Sequence, residues 1–245
     1  MTIRKLTNLS RFIKSEYAID ELREYIYQVN TSFRWGSQKT FFYGCGESNK
    51  TLWIDIPKNA SSTFKDNMRH NNYEITNRTV TKDELAYADN VIAFARDPYK
   101  RWFSGLVEYI NLREYDFVNM NRYTQNCIFE TIVDVHNVDE HSGEQISYFT
   151  DIPVRKLKVW MIDEPSFQMR DVFNWMQEHC PGVSLQKEIV NSNQTNQFNK
   201  KKIIANSLNE YLLTNSREFM DHRFDADYGM IEYFKEKQVI MNLQV

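Results

Sequence analysis

Twice in this chain a compact, largely apolar run ends at a proline-bearing turn and gives way to a helical pattern. The first is Thr51-Leu52-Trp53-Ile54-Asp55-Ile56 before Pro57, and the second is Val91-Ile92-Ala93-Phe94-Ala95 before Pro98. Apolar runs without polar alternation suit strands buried on both faces, the situation of a parallel sheet. Ser61 to His70 follows the first run as a helix, with Ser and Thr suited to its first turn. A second helix is expected from Pro98 to about Glu114, its proline in the tolerated first turn. Strands alternating with helices in this way imply an α/β fold with parallel strand pairs.

The remaining segments fit around that frame. Thr40 to Tyr43 reads as a short aromatic strand, Tyr73 to Thr76 as another, and Lys156 to Ile162 as a third. Thr81 and Glu84 have the capping-box spacing and open a short helix. Helices are expected at Thr124–Val135 and Pro165–Glu178, the latter with Phe167, Val172, Phe173 and Met176 on or near one face. Asp139–Phe149 reads as irregular, Leu185–Asn199 as a loop rich in Asn and Gln, and Leu208–Tyr233 as mostly helical. Within residues 1–40 one amphipathic stretch, Ile19 to Val29, suggests a peripheral helix. At 245 residues, with no internal repeat or linker, a single domain over 1–245 is expected.

Composition narrows the function classes. The net charge of −3 gives no global basic field, so bulk nucleic-acid binding is disfavoured. An anionic ligand must be held by a local cluster of donors. Cys45, Cys127 and Cys180 show no metal-ligand or disulfide spacing and read as thiols, with no metal site indicated. No stretch approaches the roughly 20 apolar residues of a membrane span, and the N-terminus lacks an apolar run of signal length. The chain is therefore expected to be soluble and cytoplasmic.

The turn Pro57-Lys58-Asn59-Ala60-Ser61-Ser62-Thr63 links a strand to a helix. Such turns aim backbone N–H groups and a positive helix end at one point, which suits phosphate or sulfate. Lys58 adds a point charge, and Ser61, Ser62 and Thr63 add hydroxyl donors. The turn is not a Walker A loop, since it contains no glycine. In the second segment Arg96 sits at the strand end, and Ser104 lies eight residues on, inside the helix. Ser104 is thus only about 10 Å along the axis from the helix start, so both side chains can reach one anion. The alternative for Arg96 is an ion pair with Asp97 or another acid; Arg101 is expected to be solvated or salt-bridged.

IPKNASSTF resembles the 5′-phosphosulfate loop of sulfotransferases that use PAPS (3′-phosphoadenosine 5′-phosphosulfate), and RDPYKRWFS resembles their 3′-phosphate motif. The likeness is greatest to the Golgi-type carbohydrate sulfotransferases, whose pattern is matched at Arg96, Pro98, Arg101 and Ser104. Asp139-Glu140-His141 with Gln145, and Phe224-Asp225 to Tyr233-Phe234, resemble later segments of that family in the right order. The resemblance covers about residues 50–235. The family's N-terminal anchor and paired cysteines are not found in this sequence, and Tyr115 to Asp139 resembles nothing placed.

The resemblance implies a P-loop-like parallel β-sheet flanked by helices, and in-line transfer of a sulfuryl group to an acceptor hydroxyl, with a carbohydrate as the expected acceptor, and release of PAP (3′-phosphoadenosine 5′-phosphate). Residues 57–63 would hold the 5′-phosphosulfate, Lys58 the bridging oxygen, and Arg96 with Ser104 the 3′-phosphate. No metal is implied. His141 is the first candidate for the general base, with His70 and Glu144 behind it. Lys200, Lys201 and Lys202 can be read as a basic loop over the nucleotide or as a solvated face. The competing readings are a P-loop-type nucleotide kinase or phosphohydrolase and a non-catalytic nucleotide- or glycan-binding module.

Overall fold

The computed structural model describes residues 41–43, 51–71, 82–113, 116–133, 138–139, 141–149, 152–180, 195–215 and 223–243. The expected elements at Ile19–Val29 and Tyr73–Thr76 lie outside these residues. The chain is a mixed α/β protein. Its strands β1 (Phe41–Tyr43), β2 (Thr51–Ile54), β3 (Asn90–Ala95) and β4 (Leu157–Met161) form one sheet in the order β1-β2-β3-β4. β1 runs antiparallel to β2, whereas β2, β3 and β4 are mutually parallel. The helices are α1 (Ser61–His70), α2 (Lys82–Tyr87), α3 (Pro98–Leu112), α4 (Arg122–Val133), α5 (Met169–His179), α6 (Thr195–Asn215) and α7 (Asp225–Glu236).

Two compact units interleave along the sequence. One comprises the described parts of Trp35–Pro98, Glu144–Ser192 and Asp225–Val245, the other those of Tyr99–Gly143 and Asn193–Phe224. The sheet belongs to the first. Successive strand residues point to opposite faces, so each apolar run feeds two cores at once. On one face Leu52, Ile54, Val91, Ala93 and Val159 pack with Met230, Ile231 and Phe234 of α7. On the other, Trp53, Ile92, Phe94 and Trp160 pack with Phe64 and Met68 of α1 and Val172, Phe173 and Met176 of α5. Burial of both faces explains why these strands carry no polar alternation.

Beyond β4 the chain returns after α7 to the outer edge of the sheet. The Val159 N–H donates to the Val239 carbonyl at 3.0 Å, and the Met241 N–H donates to the Val159 carbonyl at 2.7 Å. The Asn242 side chain completes the edge, accepting from Met161 N–H and donating to Met161 O, both at 2.9 Å. The second unit is helical in its described residues. Trp102, Leu106 and Ile110 of α3, Ile128 and Phe129 of α4, and Ile204, Leu208 and Leu212 of α6 share one apolar cluster.

Three boundaries differ most from the sequence reading; α4, in addition, begins at Arg122 rather than Thr124. The helix expected from Pro165 begins at Met169, because residues 164–167 form turns and Gln168 is extended (φ −133°, ψ 132°). Phe167 is held in those turns with its ring 6.3 Å from that of Phe94. The helix α6 begins at Thr195, inside the expected Leu185–Asn199 loop; residues 185–194 are not among those described. The expected Leu208–Tyr233 helix is two helices, α6 and α7. Between them Arg223 is buried, donating from Nη1 to the Val133 carbonyl at 2.8 Å. Among the described residues no helix is long and apolar enough to cross a membrane. Cys127 and Cys180 are not disulfide-bonded; Cys45 lies outside the described residues.

The aromatic cluster beneath α1 gives a direct check on this core. Phe64 is fully buried, its ring 4.6 Å from Trp53 and 5.3 Å from Phe94. Phe64→Ala is expected to lower unfolding free energy by about 3–5 kcal/mol, measured by urea denaturation.

Candidate functional site

Parallel pairing brings the carboxyl ends of β2, β3 and β4 to one edge of the sheet, where open α/β sheets place their ligands. Asp55, Arg96 and Asp163 lie one or two residues past those ends. The turn after β2 has an unusual backbone. Lys58 (φ 68°) and Ala60 (φ 57°) both occupy the left-handed region, although neither is glycine. Each such residue costs roughly 1–2 kcal/mol, which the surroundings must offset.

Asn59, between them, supplies the anchor. Its side chain is buried and Nδ2 donates to the Phe94 carbonyl at 2.7 Å and to Gln145 Oε1 at 2.6 Å. The side chain of Asn59 therefore faces the protein, and what this residue can offer a ligand is backbone. Ala60 is the N-cap of α1 and provides no side-chain cap. Ser62 is exposed, and Pro57, Lys58 and Thr63 are half-buried. The Ser61 hydroxyl donates to Asp55 Oδ1 at 2.5 Å, so its proton is committed to a carboxylate. Lys65 forms an ion pair with the same Asp55, which balances that charge beside the helix start.

Arg96 joins the turn from β3. Its Nε donates to the two carboxylate oxygens of Asp163 at 3.2 and 3.3 Å, and Nη1 donates to the Lys58 carbonyl at 3.4 Å. The ion pair offered by the sequence as the alternative for Arg96 is thus formed, with Asp163 as the acid. It uses one edge of a group that carries five donors, and the side chain remains 25% exposed. Asp163 also accepts from the Asp97 N–H at 2.9 Å, which fixes the peptide after Arg96.

Ser104 and His141 belong to the other unit. Ser104 is half-buried in the second turn of α3. Beside it, Gly105 has no room for a side chain: a Cβ there would lie 2.3 Å from the His141 carbonyl oxygen. That close approach seats the His141 peptide directly on α3. The His141 ring is then aimed by Asp139, whose Oδ2 is 3.2 Å from Nδ1 while Oδ1 accepts the His141 N–H at 2.9 Å. A carboxylate on Nδ1 favours the tautomer with Nε2 as the basic nitrogen, as a general base requires.

The other candidates fare differently. His70 ends α1, about 13 Å along the helix axis from Ser61, and so lies at the far end from the turn. Glu144 is half-buried, with its carbonyl accepting from Ser147 Oγ at 2.7 Å. Arg101 is not solvated: it is 1% exposed and donates from Nη1 to the Gly143 carbonyl. The lysine run is helical rather than looped, because residues 200–202 fall within α6. Lys200 reaches the Asn111 carbonyl at 3.4 Å and Lys201 pairs with Glu108 at 2.7 Å, both on α3.

Asp55, Gln145, Asp163 and Asp227 were not assigned roles by sequence reasoning. The first and third were findable, since each follows a strand whose carboxyl end must share an edge with the others. Gln145 stood in a quoted motif without a partner, because its partner is 86 residues away.

The turn geometry makes Ala60 diagnostic. Ala60→Gly is expected to be neutral or to stabilise by up to about 1 kcal/mol, while Ala60→Val destabilises by about 1–3 kcal/mol, read from paired denaturation curves. Gly105→Ala is expected to cost more than either small change, about 2–4 kcal/mol, since backbone must move.

No family model matches the chain, and neither a curated protein nor a solved structure does.

Proposed function

We propose that this chain is a PAPS-dependent sulfotransferase with a P-loop-like sheet, acting on a hydroxyl acceptor, with a carbohydrate as the leading class. The observation that carries the reading is the placement of its two motif-like segments. IPKNASSTF and RDPYKRWFS leave the same edge of adjacent parallel strands, and Arg96 of the second reaches the Lys58 carbonyl of the first. A ligand with two separated anionic ends suits a lysine loop and an arginine at neighbouring strand ends.

In this mechanism an acceptor oxygen attacks the sulfur in line, and the bond from sulfur to the bridging oxygen breaks as the new one forms. The electron pair leaves with PAP, and Lys58 stabilises the charge that grows on that oxygen. Loop N–H groups with Ser62 and Thr63 hold the phosphosulfate, while Pro57, Asn59 and Ala60 contribute through backbone shape. Ser61 helps by fixing Asp55 rather than by donating to the ligand. Arg96 takes the 3′-phosphate, a role that the resemblance implies for Ser104 as well. By the same resemblance His141, whose ring is oriented by Asp139, is assigned the acceptor proton. The fixed protein groups thereby supply charge compensation without a metal in any assigned role.

PAP at a hundredfold excess over its Kd is expected to stabilise the protein by about 2.7 kcal/mol, or roughly 5–10 °C in Tm. ADP, lacking the 3′-phosphate, is expected to give a much smaller shift. Absence of any PAP shift at millimolar concentration would sink the proposal. Lys58→Ala should reduce sulfuryl transfer at least about a hundredfold with an unchanged melting curve. PAP binding without transfer to any member of a broad hydroxyl panel would instead mark a non-catalytic binding module.

A further inference from the structure

We infer that Gln145 and Asp227 are positioning residues for the Pro57–Thr63 loop, acting on it through the Asn59 amide. The role assigned to that loop rests on the sulfotransferase reading; the strut itself rests on geometry alone.

Gln145 is fully buried, and both ends of its side-chain amide are occupied. Its Oε1 accepts from Asn59 Nδ2 at 2.6 Å and from the Arg96 N–H at 3.0 Å, and its Nε2 donates to the Arg96 carbonyl at 2.8 Å. One amide therefore pairs with the whole peptide face of Arg96 and with the residue that lies between the two left-handed positions. Asp227 fixes Gln145 in turn. It is 4% exposed and accepts the Gln145 N–H on Oδ2 at 3.0 Å and the Ile146 N–H on Oδ1 at 2.8 Å. Charge-assisted bonds of this kind are the stronger class.

The chain of contacts runs from α7 through Gln145 to the lysine loop and the arginine together. It sets the separation between Lys58 and Arg96, which a ligand with two anionic ends must match. Asn59 Oδ1, meanwhile, is buried with no hydrogen-bond partner among the described residues. Such an orphan is costly, so stability alone does not account for this arrangement, whereas fixing the Lys58–Ala60 backbone does.

The experiment compares the parent chain with Gln145→Glu, which keeps the size and the acceptor but sets a carboxylate oxygen against the Arg96 carbonyl. Amide hydrogen exchange of residues 58–63 and of β3 is followed, together with PAP affinity by calorimetry. Expected are loop exchange accelerated about tenfold or more, β3 exchange unchanged, and a PAP Kd raised at least about tenfold. Asp227→Asn is expected to shift both readouts the same way, and it serves if Gln145→Glu does not fold. A folded variant with PAP affinity within twofold of the parent overturns the inference. Loss of cooperative folding in both variants also overturns it, assigning these residues to core integrity. If the parent itself does not bind PAP, the sulfotransferase reading fails, and the strut is then judged by loop exchange alone: acceleration supports it and unchanged exchange overturns it.

Discussion

In a parallel sheet every strand delivers its carboxyl end to the same edge, and each strand must be followed by a crossover that returns the chain to the start. Here the pairing of Ile54 with Ala93 and of Ala95 with Met161 aligns those ends to within two residues. Asp55, Arg96 and Asp163 are gathered by that register and by nothing in their local sequence. The two-faced burial that makes the register cooperative also removes freedom from the turns. Each must leave a rigid strand and enter a helix docked on one face, as α1 does through Phe64 and Met68. The left-handed backbone at Lys58 and Ala60 is the cost of making that exit within six residues, from Asp55 to Ala60, without a glycine.

The frame was legible because its signals are local. Apolar runs marked β2 and β3 closely, the strand expected at Lys156–Ile162 is β4, and Ser61–His70 has its expected ends in the structure. The helix starts at Met169 and Thr195 differ from the sequence reading for separate reasons. Phe167 looks like a helix-face residue by spacing, yet its ring is claimed by Phe94; composition rich in Asn and Gln suggested loop where α6 starts. The chemistry of the turn was readable only as residue types. Which side chains turn toward the protein was not, because Asn59 and Ser61 are held by Gln145 and Asp55, contacts that periodicity does not encode.

Electrostatically, the sheet unit keeps its acids beside its bases. Lys65 answers Asp55 and Arg96 answers Asp163, so carboxylates near the strand ends add rigidity rather than a net repulsive field. In the helical unit the same economy appears at Asp139, which serves the backbone and the ring of His141 with separate oxygens. Both arrangements use one carboxylate to fix a neighbour in two places, which restricts rotation more than a single bond does.

Asn242 carries, in its side chain, the donor and acceptor of a peptide unit, and it presents both to Met161. With the Val159–Ile240 bridge it acts as a counterfeit strand that covers the outer edge of β4 from Val159 to Met161. A saturated border cannot template a strand from another polypeptide. Sheet extension along Val159–Met161 is thereby blocked, and among the described residues β1 forms the other border of the sheet.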